Sequence, residues 1–517
     1  MRTDREPGSS RLTSNLETRS AGRHSRCAGL FFALPIAVFM SLTGVMPARA
    51  QLCPGDCNAD GVVTIDELIT AVGIALEERA ADACTASDID SNGRVSVDEL
   101  VRAVGSALNG CALSSQTPTP TPSIGVPTST PTSPVSTGSH WLTAYYPSYQ
   151  QFLVPPSEVD YTAVSHLIHW PVLPRTDGSL DTASTDFSEE HSADVVARAH
   201  AAGTKVLLGI GGDATSGATA GFQGATGDGN RARFVANIVT LMRDRGYDGV
   251  DINWEEIGSD DEERFTAFIG ELRAALDQLT PRPLLTMPPE TGAAAHPALI
   301  ASVQQHLDQI NLQTYVMSGA YPGWVTWFNS PLYNGGFEFP SVPGTRVPSV
   351  DDEVDRFVAA GIPAARLAIG IQFDGFVWAG GSGTDTGGVT KPRQEWDRSA
   401  SRPDGTDVGA PDVTVERYAD IVDSFGAAQG FTKTFDVVAR VPYLSRDSAA
   451  DVDDRFISFD DEQAISEKGQ YAKSKGLGGV FIFELTGDYF GNRPAAERHP
   501  LLNAAKTAIK AGFVDGP

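Results

Sequence analysis

Between Gly249 and Glu255 the chain sets Asp251, Asn253 and Glu255 two residues apart, alternating with Val250, Ile252 and Trp254. Alternate side chains of a strand share a face, so the three polar groups point one way and the apolar ones the other. Acidic groups on a buried face are costly unless they are hydrogen-bonded or put to work. A second kind of chemistry lies upstream. Asp56-Cys57-Asn58-Ala59-Asp60-Gly61 runs on to Thr64 and Glu67, and Asp88-Ile89-Asp90-Ser91-Asn92-Gly93 runs on to Ser96 and Glu99. Each stretch is a twelve-position loop with side-chain oxygens at positions 1, 3, 5, 9 and 12 and glycine at the sharp turn. That spacing makes an oxygen cage for a hard cation and predicts two calcium ions.

The elements that must position these groups follow from periodicity. After each loop apolar residues recur at helical spacing: Leu68, Val72, Ala75 and Leu76, then Leu100, Val104, Ala107 and Leu108. Two loop–helix units are expected to pack through those faces. From residue 140 onward, short β-rich runs alternate with amphipathic stretches. Strands are expected at 141–146, 163–170, 205–211, 249–255, 284–288, 309–315, 366–373 and 478–485, with helices between them such as 234–245 and 263–279. Eight such alternations predict an α/β fold, a (β/α)8 TIM barrel with its chemistry at the C-terminal strand ends. The interval between strands seven and eight is too long for one helix. An α+β insertion is expected at about 375–461.

The segment 247–255, Tyr-Asp-Gly-Val-Asp-Ile-Asn-Trp-Glu, resembles the Asp-Gly-x-Asp-x-Asp-x-Glu strand of family 18 glycoside hydrolases. Gly209-Ile210-Gly211-Gly212 is similar to the family's Ser-x-Gly-Gly, and Gln313-Thr314-Tyr315 to its Met-x-Tyr. Tyr321-Pro322-Gly323-Trp324-Val325-Thr326-Trp327 and Val441-Pro442-Tyr443 are similar to chitinase loop and insertion segments. Gly478 to Glu484 resembles the final barrel strand, with Phe483 where tryptophan is usual. The resemblance covers nearly all of residues 140–510.

It implies a chitinase that works by a substrate-assisted retaining mechanism with no catalytic cofactor. Glu255 would be the acid and then the base, supported by Asp251, Asn253 and Tyr315. The substrate would be chitin or a related N-acetylglucosaminyl glycan. Phe483 would lie beneath the cleaved sugar. Tyr145, Trp324, Trp327 and Trp378 would flank it as aromatic floors, with Gln313, Asp436 and Arg440 also lining the cleft. Asn253 stands where the family has aspartate, and Val316 where an aspartate often follows the tyrosine. An amide accepts a hydrogen bond but offers no charge, so a slower enzyme is expected, with Glu255 easier to ionise. The nearby alternatives are an endo-β-N-acetylglucosaminidase acting on N-glycan or peptidoglycan, and a catalytically weak chitin-binding lectin.

The rest of the chain sets the context. A net charge of −26 leaves no basic stripe for nucleic acid. Arg19, Arg23 and Arg26 precede an apolar run from about Ala28 to Met46, and Pro47-Ala48-Arg49-Ala50 supplies a cleavage site. Residues 1–50 therefore read as a signal peptide of a secreted protein, with no membrane association after cleavage. The four cysteines downstream, Cys53, Cys57, Cys84 and Cys111, suit two disulfides in any of three pairings. Residues 51–113 resemble a paired EF-hand or dockerin module, which leaves two roles open: a calcium-stabilised spacer, or a docking module for a cohesin-like or cell-surface partner. Glu67 and Glu99 depart from the aspartate usual in dockerins. Residues 114–139 are Ser, Thr and Pro with little else, an extended linker to the domain at 140–517.

Overall fold

The computed structural model describes residues 54–58, 63–76, 79–88, 94–96, 99–100, 102–103, 140–397 and 409–510. The signal and linker segments lie outside these residues, as do Cys53, Cys111, Asp60, Asp90, Asn92, Val104, Ala107 and Leu108. The described residues fall into two compact units, which divide between Pro131 and Thr132.

In the N-terminal unit helix α1 spans Ile65–Ala75, and a disulfide joins Cys57 to Cys84. The Glu67 carboxylate accepts from the backbone N–H groups of Cys57, Asn58 and Thr64 at 3.0, 3.2 and 2.8 Å, and from Thr64 Oγ1 at 3.0 Å. It thereby ties the loop to the helix start. Glu99 repeats the pattern, accepting from Ser96 N and Oγ at 2.8 and 2.9 Å. The buried face of α1 is Glu67, Ala71 and Ile74, whereas Val72 and Leu76 are exposed. The expected Leu68/Val72/Leu76 packing stripe is thus displaced around the helix. Among the described residues no three His, Cys, Asp or Glu side chains converge as a metal-holding group.

The second unit is a closed barrel. Its strands in chain order are β1 (Trp141–Pro147), β2 (His166–Pro174), the short β3 (Leu180–Asp181), β4 (Lys205–Gly212), β5 (Gly249–Trp254), β6 (Leu284–Met287), β7 (Gln309–Leu312) and β8 (Leu367–Gln372). The chain then builds β9 (Asp374–Gly380), β10 (Pro411–Arg417), β11 (Thr432–Asp436), β12 (Val441–Arg446) and β13 (Arg455–Ser458), before β14 (Gly479–Phe483). The order β1-β14-β8-β7-β6-β5-β4-β2 is parallel throughout, and β1 pairs with β2 to close the ring. Strands β9 to β13 form a separate antiparallel sheet in the order β10-β9-β13-β12-β11.

The second strand starts later than its apolar run suggests. Residues Tyr161–Ala163 form a 3-10 turn, capped by Asp160, which accepts from Thr162 N. Around the barrel, helices bury one stripe each. The helix Glu262–Leu276 buries Phe265, Phe268, Ile269, Leu272 and Leu276, an i, i+3, i+4, i+7, i+11 pattern. Ser188 caps the helix Glu189–Ala201 by accepting from His191 N, and Asp461 caps Glu462–Ser474 by accepting from Ala464 N. The barrel interior holds Tyr145, Ile168, Leu207, Tyr315 and Phe481, so it is a packed core and the chemistry is left to the strand ends. Among the described residues no helix is long and apolar enough to cross a membrane.

Candidate active site

Strand β5 is buried along its whole length, and its two faces do different work. Outward, Trp254 stacks on Phe222 with ring centroids 4.7 Å apart, and Ile252 and Val250 are fully buried. Burial of each such side chain contributes about 1.5–3 kcal/mol, which pins the strand's rotation. Inward, Asp251 lies beside Gly209 of β4 and Thr286 of β6, and Asn253 beside Gly211.

Asp251 is fully buried and accepts two short hydrogen bonds, from Tyr145 Oη at 2.6 Å and from Thr286 Oγ1 at 2.5 Å. Burial raises its carboxyl from 3.8 to about 6, and those two donors oppose the rise. The glycine at 209 has a steric reason. A Cβ there would meet Trp170 Cβ and Ile168 Cγ2, both at 2.9 Å. Trp170 is held by its Nε1 donating to Gly211 O at 2.9 Å. The indole fills the space a serine would use, and Tyr145 and Thr286 supply the hydroxyls that Asp251 needs.

Glu255 follows β5 at the mouth of the barrel. Its carboxyl is raised from 4.5 to about 7, first by burial and then by the nearby Glu290 charge, with Asp213 adding to it. Gln313 Nε2 donates to Glu255 Oε1 at 3.3 Å and to Pro288 O at 2.9 Å. The Asn253 amide opposes the rise of the Glu255 carboxyl, while Asn253 Oδ1 is buried without a partner. Tyr315 sits past β7, with its ring over Phe483 at 5.9 Å. Gly370 of β8 makes room for it, since a Cβ there would lie 2.6 Å from Tyr315 Cε1. Val316 adopts φ +57° and is exposed, and its N–H donates to Asn329 Oδ1 at 2.8 Å.

These groups open into a cavity of about 650 Å³. Of the residues expected from sequence, it is lined by Asn253, Glu255, Gln313, Tyr315, Tyr145 and Phe483, and Asp251 lies behind Tyr145. Trp327 and Trp378 are not platforms. Both are completely buried, and Trp327 Nε1 donates to Pro348 O. Trp324 packs on Tyr321 and Phe339, away from the cavity wall. Asp436 pairs with Arg393 at 2.7 Å and lines a different cleft, and Arg440 is exposed beside Glu467. Sequence reasoning missed Trp170, Tyr149, Asp213 and Gln372 in the wall, and Glu290 behind it. Trp170, at the end of an apolar β-run, was the one with a visible signal.

A family model described as Glycosyl hydrolases family 18 matches residues 143–488. Chitinase A1 of Niallia circulans is 29% identical over 276 residues, 50% of this chain and 37% of that protein. Chitotriosidase-1 of Mus musculus is 29% identical over 273 residues, 50% of this chain and 54% of that protein. The chain thus spans about half or less of the length of these relatives. Among solved structures, the Ostrinia furnacalis Group IV chitinase bound to allosamidin superposes with a TM-score of 0.59 at 21% identity, covering 73% of this chain and all of that one. Human YKL-39, described as a pseudo-chitinase with retained chitooligosaccharide binding, does so at 0.58 and 21%, covering 72% of this chain and all of that one. At such identities the superpositions speak for the fold alone.

Proposed function

The chain belongs to glycosyl hydrolases family 18, and on that premise we propose that it hydrolyses β-1,4-linked N-acetylglucosamine polymers such as chitin by substrate assistance with retention. The observation that carries the reading is the pairing, at one cavity wall, of a carboxyl raised to about 7 with a buried amide oxygen that has no partner. A buried unpaired acceptor costs stability unless a ligand donor meets it. An acetamido N–H fits Asn253 Oδ1, and the Tyr315 hydroxyl suits the acetamido carbonyl.

Held in this way, the acetamido oxygen attacks the anomeric carbon while Glu255 gives its proton to the departing glycosidic oxygen. Glu255, now ionised, takes a proton from water as that water opens the oxazolinium. The sugar ring would rest on Phe483 and Trp170. Burial and Glu290 already hold the Glu255 proton to about pH 7, so the missing aspartate charge at 253 does not leave the acid ionised at mildly acidic pH. The amide still lacks the charge that would offset the cationic intermediate.

The test is hydrolysis of N-acetylchitooligosaccharides by the protein and by Glu255→Gln, with NMR of the first product anomer. Glu255-dependent release of the β-anomer supports the reading, and the α-anomer first would defeat it. A second reading, binding without cleavage, is favoured by Asn253. Saturable binding with no product in either protein would select it.

We read the N-terminal unit as an exported calcium module with a cohesin-like or surface partner. Its melting temperature should fall when EGTA is added.

A further inference from the structure

Three loops meet behind Glu255, and one side chain joins them. Past β5 the backbone turns at Glu256, which takes φ +59°, a left-handed conformation that non-glycine residues enter at a cost of about 1–2 kcal/mol. The N–H of Glu256 donates to Glu290 Oε2 at 2.6 Å. Glu290 follows β6, and the residues around it are tied to the loop after β7. Gln313 N donates to Pro289 O at 3.0 Å, and Thr291 Oγ1 donates to Gln313 O at 2.8 Å. The Gln313 side chain then closes the circuit on Glu255 and Pro288. The strained turn that carries Glu255 is therefore held by a carboxylate rather than by a neutral acceptor. Charge-assisted bonds to backbone N–H groups are about twice as strong as neutral ones.

We infer that Glu290 is a positioning residue of this site: its carboxylate clamps the Glu256 turn so that Glu255 faces the cavity, and it brings a second acidic group to the rim where Asn253 contributes no charge. This rests on the hydrolase reading only for its catalytic consequence. The groups around the pair are few. Facing Glu255 are Asp213 from the loop after β4, Asn253 of β5, Gln313 and Tyr315 after β7, and Glu290 itself, with Asp251 and Tyr145 deeper in the barrel. Facing Glu290 are Glu256 and His296, and His296 also lies 3.6 Å from Glu262. Among the described residues no lysine or arginine lines the cavity beside Glu255. Burial and like charge raise the Glu255 carboxyl, and the Gln313 and Asn253 side chains oppose the rise.

Two variants separate the clamp from the charge. Glu290→Gln keeps an acceptor for Glu256 N–H and removes the charge. Glu290→Ala removes both. Glu255 is titrated directly in the full chain by carbon-13 carboxyl NMR, its signal assigned by its loss in Glu255→Gln. In Glu290→Gln the Glu255 midpoint should fall by about 0.5–1 pH unit, the effect of one like charge across a partly solvated gap. On chitooligosaccharide the alkaline limb of the rate profile should fall with it, because the acid form is the active one. The plateau rate should fall, but by less than in Glu290→Ala, because the amide oxygen still accepts from Glu256 N–H through a neutral and weaker bond. In Glu290→Ala the plateau rate should drop about 10–100-fold, as expected when a reacting group is misplaced by about 1 Å. An unmoved Glu255 midpoint in Glu290→Gln overturns the electrostatic half. A plateau rate in Glu290→Ala equal to that of the unaltered protein, or a Glu290→Gln as impaired as Glu290→Ala, overturns the clamp. If the unaltered protein cleaves nothing, the hydrolase reading fails, and the NMR midpoint still decides the role of Glu290.

Discussion

Replacing Glu255 by glutamine should make the barrel more stable at alkaline pH while abolishing turnover. The carboxyl is held at about 7 against an ordinary 4.5. A pKa raised in the folded state means that the unfolded chain gives up this proton first as pH rises. The unaltered protein keeps the group's full contribution below about pH 4.5, loses it steadily up to about pH 7, and shows no further change above that. At about 1.4 kcal/mol per pH unit the ceiling is about 3 kcal/mol. Glu255 opens onto a cavity, so solvent screening brings the working figure to about 1–2 kcal/mol. Glutamine is isosteric, still accepts from Gln313 and never ionises. The assay is urea unfolding at pH 4, 6 and 8 followed by tryptophan fluorescence. All seven tryptophans lie at or beyond Trp141, so the signal reports the second unit alone. The two proteins should match at pH 4 and diverge by about 1–2 kcal/mol at pH 8 in favour of the variant. Equal differences at pH 4 and 8, or a weaker variant at pH 8, would refute the claim that burial of charge is what raises this carboxyl.

Three further substitutions follow from the same geometry. Asn253→Asp should speed turnover about 5–10-fold, the gain from a neutral to a charge-assisted bond, and move the Glu255 limb to higher pH; a variant no faster at any pH counts against the assigned role. Gly209→Ser should cost about 1–3 kcal/mol in urea unfolding, because its Cβ meets Trp170 and Ile168 at 2.9 Å. Adding Trp170→Ala should recover part of that loss, and strict additivity of the two would contradict the steric account. Val316→Asn should gain about 1 kcal/mol, since asparagine tolerates φ +57° better than a β-branched side chain; no gain would contradict the strain assigned to this position.

What could be read from the sequence was what period-two alternation encodes. The inward set Asp251, Asn253, Glu255 and the outward set Val250, Ile252, Trp254 follow from strand geometry alone, and so does the ring of strands that frames them. The aromatic floors were not legible in the same way. Trp327 and Trp378 carry the composition of a sugar platform, but whether an indole faces a cleft or a core depends on which layer covers it. The packing of Trp378 against Trp396 and Phe456 and of Trp327 against Phe328 and Phe337 covers both. Glycine 209 illustrates a third case. Read along the chain it is a lost serine. Read across the barrel it is the consequence of Trp170, 39 positions upstream on β2, filling the same volume.

Glu290 shows why the electrostatics of the site were the least legible part. Asn253 announces a missing charge, and from sequence that absence argues for an acid that ionises too easily. The compensating charge enters from another strand end, 35 residues beyond Glu255, through a hydrogen bond to a backbone N–H that no residue pattern marks. A carboxylate within β5 would have had to be buried beside Asp251 and Glu255, three acids on one face of one strand. At the rim burial still raises the Glu290 carboxyl, but the Glu256 N–H opposes that rise, so the like charge reaches Glu255 at a smaller desolvation cost than a third acid on β5 would carry. By this argument the loss at 253 and the acid at 290 belong together. An Asn253→Asp/Glu290→Gln double variant should therefore restore a Glu255 midpoint close to that of the unaltered protein, and a midpoint displaced as far as in either single variant would show that the two charges do not offset one another.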